Sequence, residues 1–151
     1  MKFRIEISDD TEEDEIIIRC KSKTEKVRLI ENAVESILEE RSELVLYIKD
    51  TEYYIPKRSI LFFETDGGKV KAHTDDRIYT ADYKLFELEK IMPPAFIRVS
   101  KSCILNAAMV EGINKNLTGS SEVYFRNSSK KVYVSRAYYK LLKEKINEMR
   151  F

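Results

Sequence analysis

Two short stretches carry residue types that could do chemistry together. The first is FIRVSKSCILN at 96–106, and the second is VYVSR at 132–136. The first begins as a strand (Phe96, Ile97, Val99) and breaks at Ser100-Lys101-Ser102, where two hydroxyls flank an ammonium. An apolar turn, Cys103-Ile104-Leu105, then closes on Asn106. In the second, Val132 and Val134 alternate with Tyr133, and the strand stops at Ser135-Arg136. Each stretch uses a strand to deliver one cation beside a hydroxyl. Hydroxyls and backbone N–H groups suit a phosphate, and a long cation suits a base edge in a groove. Arg136 stands just after the expected N-cap Ser135, at the positive end of a helix. Its planar fork can donate to guanine O6 and N7 together. Tyr138 and Lys140, in the same first turns, are candidate backbone contacts.

These motifs resemble the LytTR family of bacterial DNA-binding domains. The family has roughly F-x-R-x-H-R-S-x-x-V-N at the first stretch and V-S-R opening the final helix. Its upstream strand-loop-strand is matched by Ile60-Leu61-Phe62-Phe63-Glu64 and Val70. The resemblance covers about residues 44–151. Two departures stand out: Ser100 occupies the usual histidine position and Lys101 the usual arginine position. Lysine is a point charge rather than a fork, so two-pronged guanine reading does not carry over to that loop. By resemblance, the contact set is Lys69 beside Gly67-Gly68, Ser100, Lys101, Ser102, Ser135 and Arg136, with Tyr138 and Lys140. Arg98 and Asn106 are expected to support the loop rather than read bases. The resemblance further implies direct-repeat binding to double-stranded DNA, a bent duplex, and a small integral-membrane protein as a regulatory partner.

The charge distribution agrees. The chain of 151 residues carries a net charge of only +1. From Arg98 onward, however, there are eleven Lys/Arg against four Asp/Glu, whereas residues 1–97 hold sixteen against twenty-two. A basic block on a near-neutral chain is the electrostatic footprint of a nucleic-acid surface. Two other readings stay open. A protein-interaction β-sandwich would show no basic clustering of the loops once folded. An RNA-binding protein would prefer single-stranded RNA to duplex DNA in competition.

Composition narrows the remaining classes. Charged residues make up 35% of the chain, and no uncharged run nears the roughly 18 residues that span a bilayer. The opening MKFRIEISDD has no apolar signal-peptide core, so the expected location is cytoplasmic. Cys20 and Cys103 are far apart and read as reduced thiols, although Cys103 falls in the proposed loop, where a redox switch is conceivable. His73 has no Cys or His companion, so no metal and no cofactor is expected. No Gly-rich phosphate loop or nucleophile elbow is present, so no enzyme and no small-molecule substrate are expected. The nine tyrosines could stack single-stranded bases, but their positions on apolar alternation favour packing.

The elements that must position these residues follow from periodicity. Phe3, Ile5 and Ile7 alternate over 2–8, and a second strand is expected at 15–20, making a β-hairpin across the acidic turn 9–14. Asp9-Asp10 resembles the start of a receiver domain, but such a domain needs about a hundred residues and the next unit begins near 44. Ser22-Lys23-Thr24-Glu25 has capping-box spacing for a helix to Glu40, with Val27, Ile30, Val34, Ile37 and Leu38 as one stripe. Residues 1–43 thus form a small extension with eight basic and thirteen acidic side chains, suited to dimerisation or partner sensing.

From 44 to 151 the expectation is a mainly β domain of stacked antiparallel sheets with short side helices and a C-terminal helix. Strands are expected at 44–49, 53–56, 60–65, 69–74, 77–81, 109–114, 122–126 and 131–134, beside the one at Phe96. Asp82 is expected to cap a helix over 83–91, with Leu85, Leu88 and Ile91 inward. Ser135 is expected to cap the last helix, with Tyr139, Leu142, Ile146 and Met149 as its stripe.

Overall fold

The computed structural model describes residues 2, 4–10, 15–40 and 42–150. The hairpin expected in the extension is not found among the described residues: 2, 4–8 and 15–20 lie in no strand, 9–10 form a turn, and residues 3 and 11–14 fall outside the described residues. Alternating isoleucines give strand propensity, but a strand also needs a hydrogen-bonding neighbour. Ile5, Ile7, Ile16, Ile17 and Ile18 are all exposed. The expected helix is present as α1 (Glu25–Glu40). It starts after Thr24 rather than Ser22: Thr24 Oγ1 accepts from Val27 N at 3.4 Å, and Thr24 O accepts from Arg28 N. Its stripe is only half used. Val27 is buried and Ile30 and Val34 are half-buried, while Ile37, Leu38 and also Leu29 are exposed.

The domain is built from antiparallel strands. β1 (Glu43–Ile48) and β2 (Thr51–Pro56) form a hairpin. β3 (Phe62–Asp66) and β4 (Lys69–His73) form a second, followed by β5 (Ile78–Ala81) and helix α2 (Leu85–Ile91). β6 (Phe96–Ser100) and β7 (Cys103–Asn106) form a third. β8 (Val110–Asn114), β9 (Ser121–Phe125) and β10 (Lys131–Val134) make a separate meander before helix α3 (Arg136–Arg150). Cys103-Ile104-Leu105 is therefore a strand, not a turn. A continuous apolar run is what a strand covered on both faces requires, and all four residues of β7 are buried. α2 begins after Lys84, not Asp82, because Glu87 reaches back to accept from Lys84 N at 3.0 Å. Ile91 is exposed.

The first sheet has the order β2-β1-β5-β4-β3-β7-β6 and the second β10-β9-β8. β1 meets β5 through the single registered pair Tyr47↔Thr80. Alternation along β3 and β7 splits the interior into two cores. Phe62, Cys103 and Leu105 face Val123, Phe125, Val134, Leu142 and Ile146 of the second sheet and α3. Phe63 and Ile104 face Leu44, Leu46, Leu85 and Leu88 of the first hairpin and α2.

The five central strands define two ends. The turns Gly67-Gly68 and Lys101-Ser102 lie at one, which we call the upper end. β3 and β7 pair antiparallel through Phe62↔Leu105 and Glu64↔Cys103, so both turns project the same way. At the lower end Phe62, His73 and Asn106 meet the 3-10 turns Lys57–Ser59 and Ala107–Met109. Asn106, 2% exposed, pins this end: Nδ2 donates to Ile60 O (3.1 Å) and Arg58 O (3.3 Å), and Oδ1 accepts from Ala108 N (3.1 Å). The family asparagine thus closes the end away from Lys101 and does not touch the Ser100–Ser102 turn. α1 also sits at the lower end, against Lys57–Ser59. With Pro94, Ala95, Ala108 and the last turns of α3 it borders an open groove of about 640 Å³.

Candidate nucleic-acid interface

Four of the chain segments at the upper end carry the candidate residues or stand beside them. The β3–β4 turn is the first. Gly67 and Gly68 have φ of 58° and 79°, the positive values that a two-residue hairpin of primed type needs at both central positions. That turn sets Lys69 at the start of β4, exposed and paired in register with Asp66.

The β6–β7 turn is the second, and it touches the first segment directly. Thr65 N, near the end of β3, donates to Ser102 O at 2.9 Å. Lys101 is exposed. Ser100 Oγ lies 3.4 Å from Ser102 Oγ and accepts from Ser102 N at 3.2 Å, so the two hydroxyls tie the turn to itself. The turn also rests on Arg98: Nε donates to Ser100 O (2.8 Å) and Nη2 to Lys101 O (2.6 Å), while Nη1 meets Glu89 Oε2 of α2 at 3.2 Å.

The third and fourth segments belong to the second sheet. β8 leaves the lower-end turn Ala107–Met109, so its far end, Asn114, and the loop 115–120 lie upward. The pair Val134↔Ser121 puts the end of β10, and hence Ser135-Arg136, beside that loop. The course of α3 agrees, since Lys145, Asn147, Glu148 and Met149 in its last turns lie by Pro94, Ala95 and Ala108 at the lower end. Ser135 O accepts from Tyr138 N (3.1 Å) and Tyr139 N (3.0 Å), the first bonds of α3. Arg136 is exposed just after it.

The remaining residues divide. Tyr138 is half-buried and packs on the core beneath the second sheet. Lys140 is exposed but lies 4.0 Å from Glu144 one turn on. Lys69, Lys101 and Arg136 make no ion pair among the described residues. Sequence reasoning missed Lys115, whose Nζ stands 5.0 Å from the centroid of Tyr139 at the start of α3. A lysine in a short polar loop gives no sign of that without the register of β8 and β10. Other members of the basic block face elsewhere. Lys130 Nζ reaches the lower-end Arg77 O (3.0 Å) and His73 Nδ1 (3.4 Å), and Lys131 meets Glu122.

Electrostatics settles the two odd groups. Burial, aided by the Glu64 charge and opposed by Arg98, pushes the Cys103 thiol up to about 12. Cys103 packs in the core with Phe62, Leu105 and Phe125, and a neutral buried thiol is a poor nucleophile. His73 stacks on Phe62 at 4.1 Å and meets Glu64 Oε1 through Nε2 at 2.7 Å. Its pKa lies below the ordinary value because burial outweighs Glu64 and Lys130 repels a proton. A neutral ring donating from Nε2 to Glu64, with Nδ1 facing the Lys130 ammonium, satisfies all three groups.

Comparison with known proteins places these features in context. The model of the LytTr DNA-binding domain family matches residues 50–147. Two Staphylococcus aureus proteins, from strains NCTC 8325 and MRSA252, are each described as an uncharacterised HTH-type transcriptional regulator. They are 31% and 30% identical over 147 residues, which is 97% of this chain and 99% of each of them. The solved LytTr DNA-binding domain of a response regulator from Bacillus cereus superposes with a TM-score of 0.64 at 22% identity, covering 70% of this chain and 97% of that domain. The fold is thus shared. Among the described residues no two α-helices follow one another, so the helix-turn-helix in the relatives' description has no counterpart here.

Proposed function

The chain belongs to the LytTR family of DNA-binding domains and is a DNA-binding transcriptional regulator; from that premise we propose that the upper end of the domain is the surface that reads duplex DNA. Lys69, Lys101 and Arg136 enter the grooves, with Arg136 as base reader and the Ser100, Ser102 and Ser135 hydroxyls on phosphates. Tyr138 and Lys140 contribute at the backbone, and Arg98 supports the turn. The observation that carries this reading is the Thr65 N to Ser102 O bond of 2.9 Å, which ties the Lys69 and Lys101 turns at one end. The target is two direct repeats in the cytoplasm, occupied by two copies. Arg136→Ala should weaken specific binding by about 1–3 kcal/mol and relax preference at one base position. Lys140→Ala should weaken all sequences alike and flatten the salt dependence by about one unit of slope. Titration of duplex variants by fluorescence anisotropy separates the two. Unchanged preference in Arg136→Ala removes its role as base reader.

We assign residues 1–43 to self-association, with a small integral-membrane protein as the other occupant. The support is the position of α1 at the end remote from Lys101, with Leu29, Ile37 and Leu38 exposed. Nearly whole-length similarity to the staphylococcal regulators also includes this extension, which the family model leaves out. Joining two modules raises the effective concentration at a two-repeat site without new DNA contacts. A truncation starting at Leu44 should sediment as a smaller species and lose its preference for two repeats over one. If both properties survive, self-association through 1–43 is wrong.

A further inference from the structure

The two turns that meet at the upper end are built by different means. Gly67-Gly68 adopts positive φ at both positions, so its own backbone fits the twist of its strands. Lys101-Ser102 also joins two antiparallel strands, yet neither residue has positive φ. A turn of that kind splays its strands and is not held by backbone preference alone. The register of β6 against β7 accordingly shifts between Arg98 and Ser100, a bulge over the buried Val99. A bulge re-aims the chain and disrupts the ladder locally. Beside it, the carbonyl oxygens of Ser100 and Lys101 both accept from Arg98, and the third arm of the guanidinium is taken by Glu89.

We propose that Glu89 on α2 is a positioning residue for DNA recognition, acting through Arg98 to hold the Lys101 turn in its reading geometry. The inference rests on the Lys101 turn being part of the DNA surface. Donors on three nitrogens of one rigid plane let arginine bridge two carbonyl oxygens and a carboxylate at fixed angles, whereas the three donors of lysine share one freely rotating nitrogen. The carboxylate fixes the rotation of the guanidinium and neutralises it, so the cation offered to DNA at this turn is Lys101 and not Arg98. Glu89 is 41% exposed at its side chain and Arg98 27%. The pair is thus worth little to global stability, while its geometric effect falls on the turn.

The test uses the full-length protein and a duplex enriched from a random pool by the wild type, against a scrambled duplex of the same length. Glu89→Leu should lower the ratio of specific to scrambled affinity about two- to fivefold. Arg98→Lys should lower it about tenfold. Affinity of Glu89→Leu for the scrambled duplex should stay level or rise, because a negative charge has left the DNA side. In the free protein, 15N relaxation should show Lys101 and Ser102 loosened in both variants, with the urea midpoint nearly unchanged. An unchanged ratio with a loosened turn overturns the proposal, as does a turn of wild-type order. A loss of ratio that only tracks a fallen urea midpoint also overturns it. Lys101→Ala is the control. If it binds like wild type, or if the wild type enriches no duplex, the assignment of the surface itself has failed.

Discussion

Replacing Asn106 by alanine removes three bonds at the lower end of the sheet, and the cost can be worked from their surroundings. The Nδ2 bond to Ile60 O is buried; those to Arg58 O and from Ala108 N are part-buried. Stranding a buried carbonyl costs about 1–3 kcal/mol, and two bonds that water can replace cost about 0.5–1 kcal/mol each. Asn106→Ala should therefore lose about 2–5 kcal/mol. With a urea m-value of about 1.5 kcal/mol/M, the midpoint should fall by roughly 1–3 M. Asn106→Asp should be worse near neutral pH, since a carboxylate there would face the two carbonyl oxygens that the amide now donates to. Its deficit should shrink as the pH is lowered and the carboxyl regains a proton to donate. Urea unfolding followed by circular dichroism measures each variant, with DNA affinity taken per folded molecule. That affinity should match the wild type, because Asn106 lies at the end away from Lys101. A loss under about 0.5 kcal/mol in Asn106→Ala, or a lasting affinity defect once corrected for folding, would refute the reasoning.

Three other expectations follow from particular groups. His73 is the only histidine, so its NMR titration is unambiguous: the proton should sit on Nε2 and the pKa below the free value of roughly 6.5. Because the folded value is depressed, its contribution to stability is full above the unfolded pKa and is lost as pH falls through the folded one. Lys130→Met should raise that pKa, and a wild-type value at or above the free one would show the arrangement to be wrong. Iodoacetamide at mildly alkaline pH should modify the exposed Cys20 quickly and the buried Cys103 only on unfolding; equal rates would contradict the burial. At Gly68, with φ of +79° and nothing within 4 Å of an added Cβ, alanine should cost about 1–2 kcal/mol through backbone strain alone. Asparagine should cost less, and equal losses in urea would point to a steric cause instead.

Most strands of the domain were legible because each is half-buried and alternates, as in Val132, Tyr133 and Val134. The last helix was legible for a similar reason, since Leu142 and Ile146 recur at helical spacing and are buried. Misreadings occurred where a local pattern meets a non-local requirement. Cys103-Ile104-Leu105 has no alternation because both faces of β7 are covered, and a run of that kind looks the same in a turn or a buried strand. Ile5, Ile7 and Ile16 to Ile18 have strand-like composition, but composition cannot supply a neighbouring chain. The cations of both motifs were visible as residue types beside hydroxyls. Their convergence depends on register, through Glu64↔Cys103 and Val134↔Ser121. Asn106 shows the same limit, with partners 46 and 48 residues away.

The lone pair Tyr47↔Thr80, by which the first hairpin joins the central strands, has a consequence for cooperativity. The two cores lie on opposite faces of the five strands and share few side chains, so they need not open together. Peeling β1 and β2 away would break one ladder contact and expose Leu44, Leu46, Phe63 and Ile104, leaving the side held by α3 closed. Native-state amide exchange should then occur in two tiers, with β1, β2 and α2 exchanging through a partial opening well below the global unfolding free energy. β7, β9 and α3 should exchange only with the whole domain. Glu89 rides on the looser unit and Lys101 on a turn of the tighter one, so the order of the recognition turn is coupled to a layer that can breathe independently.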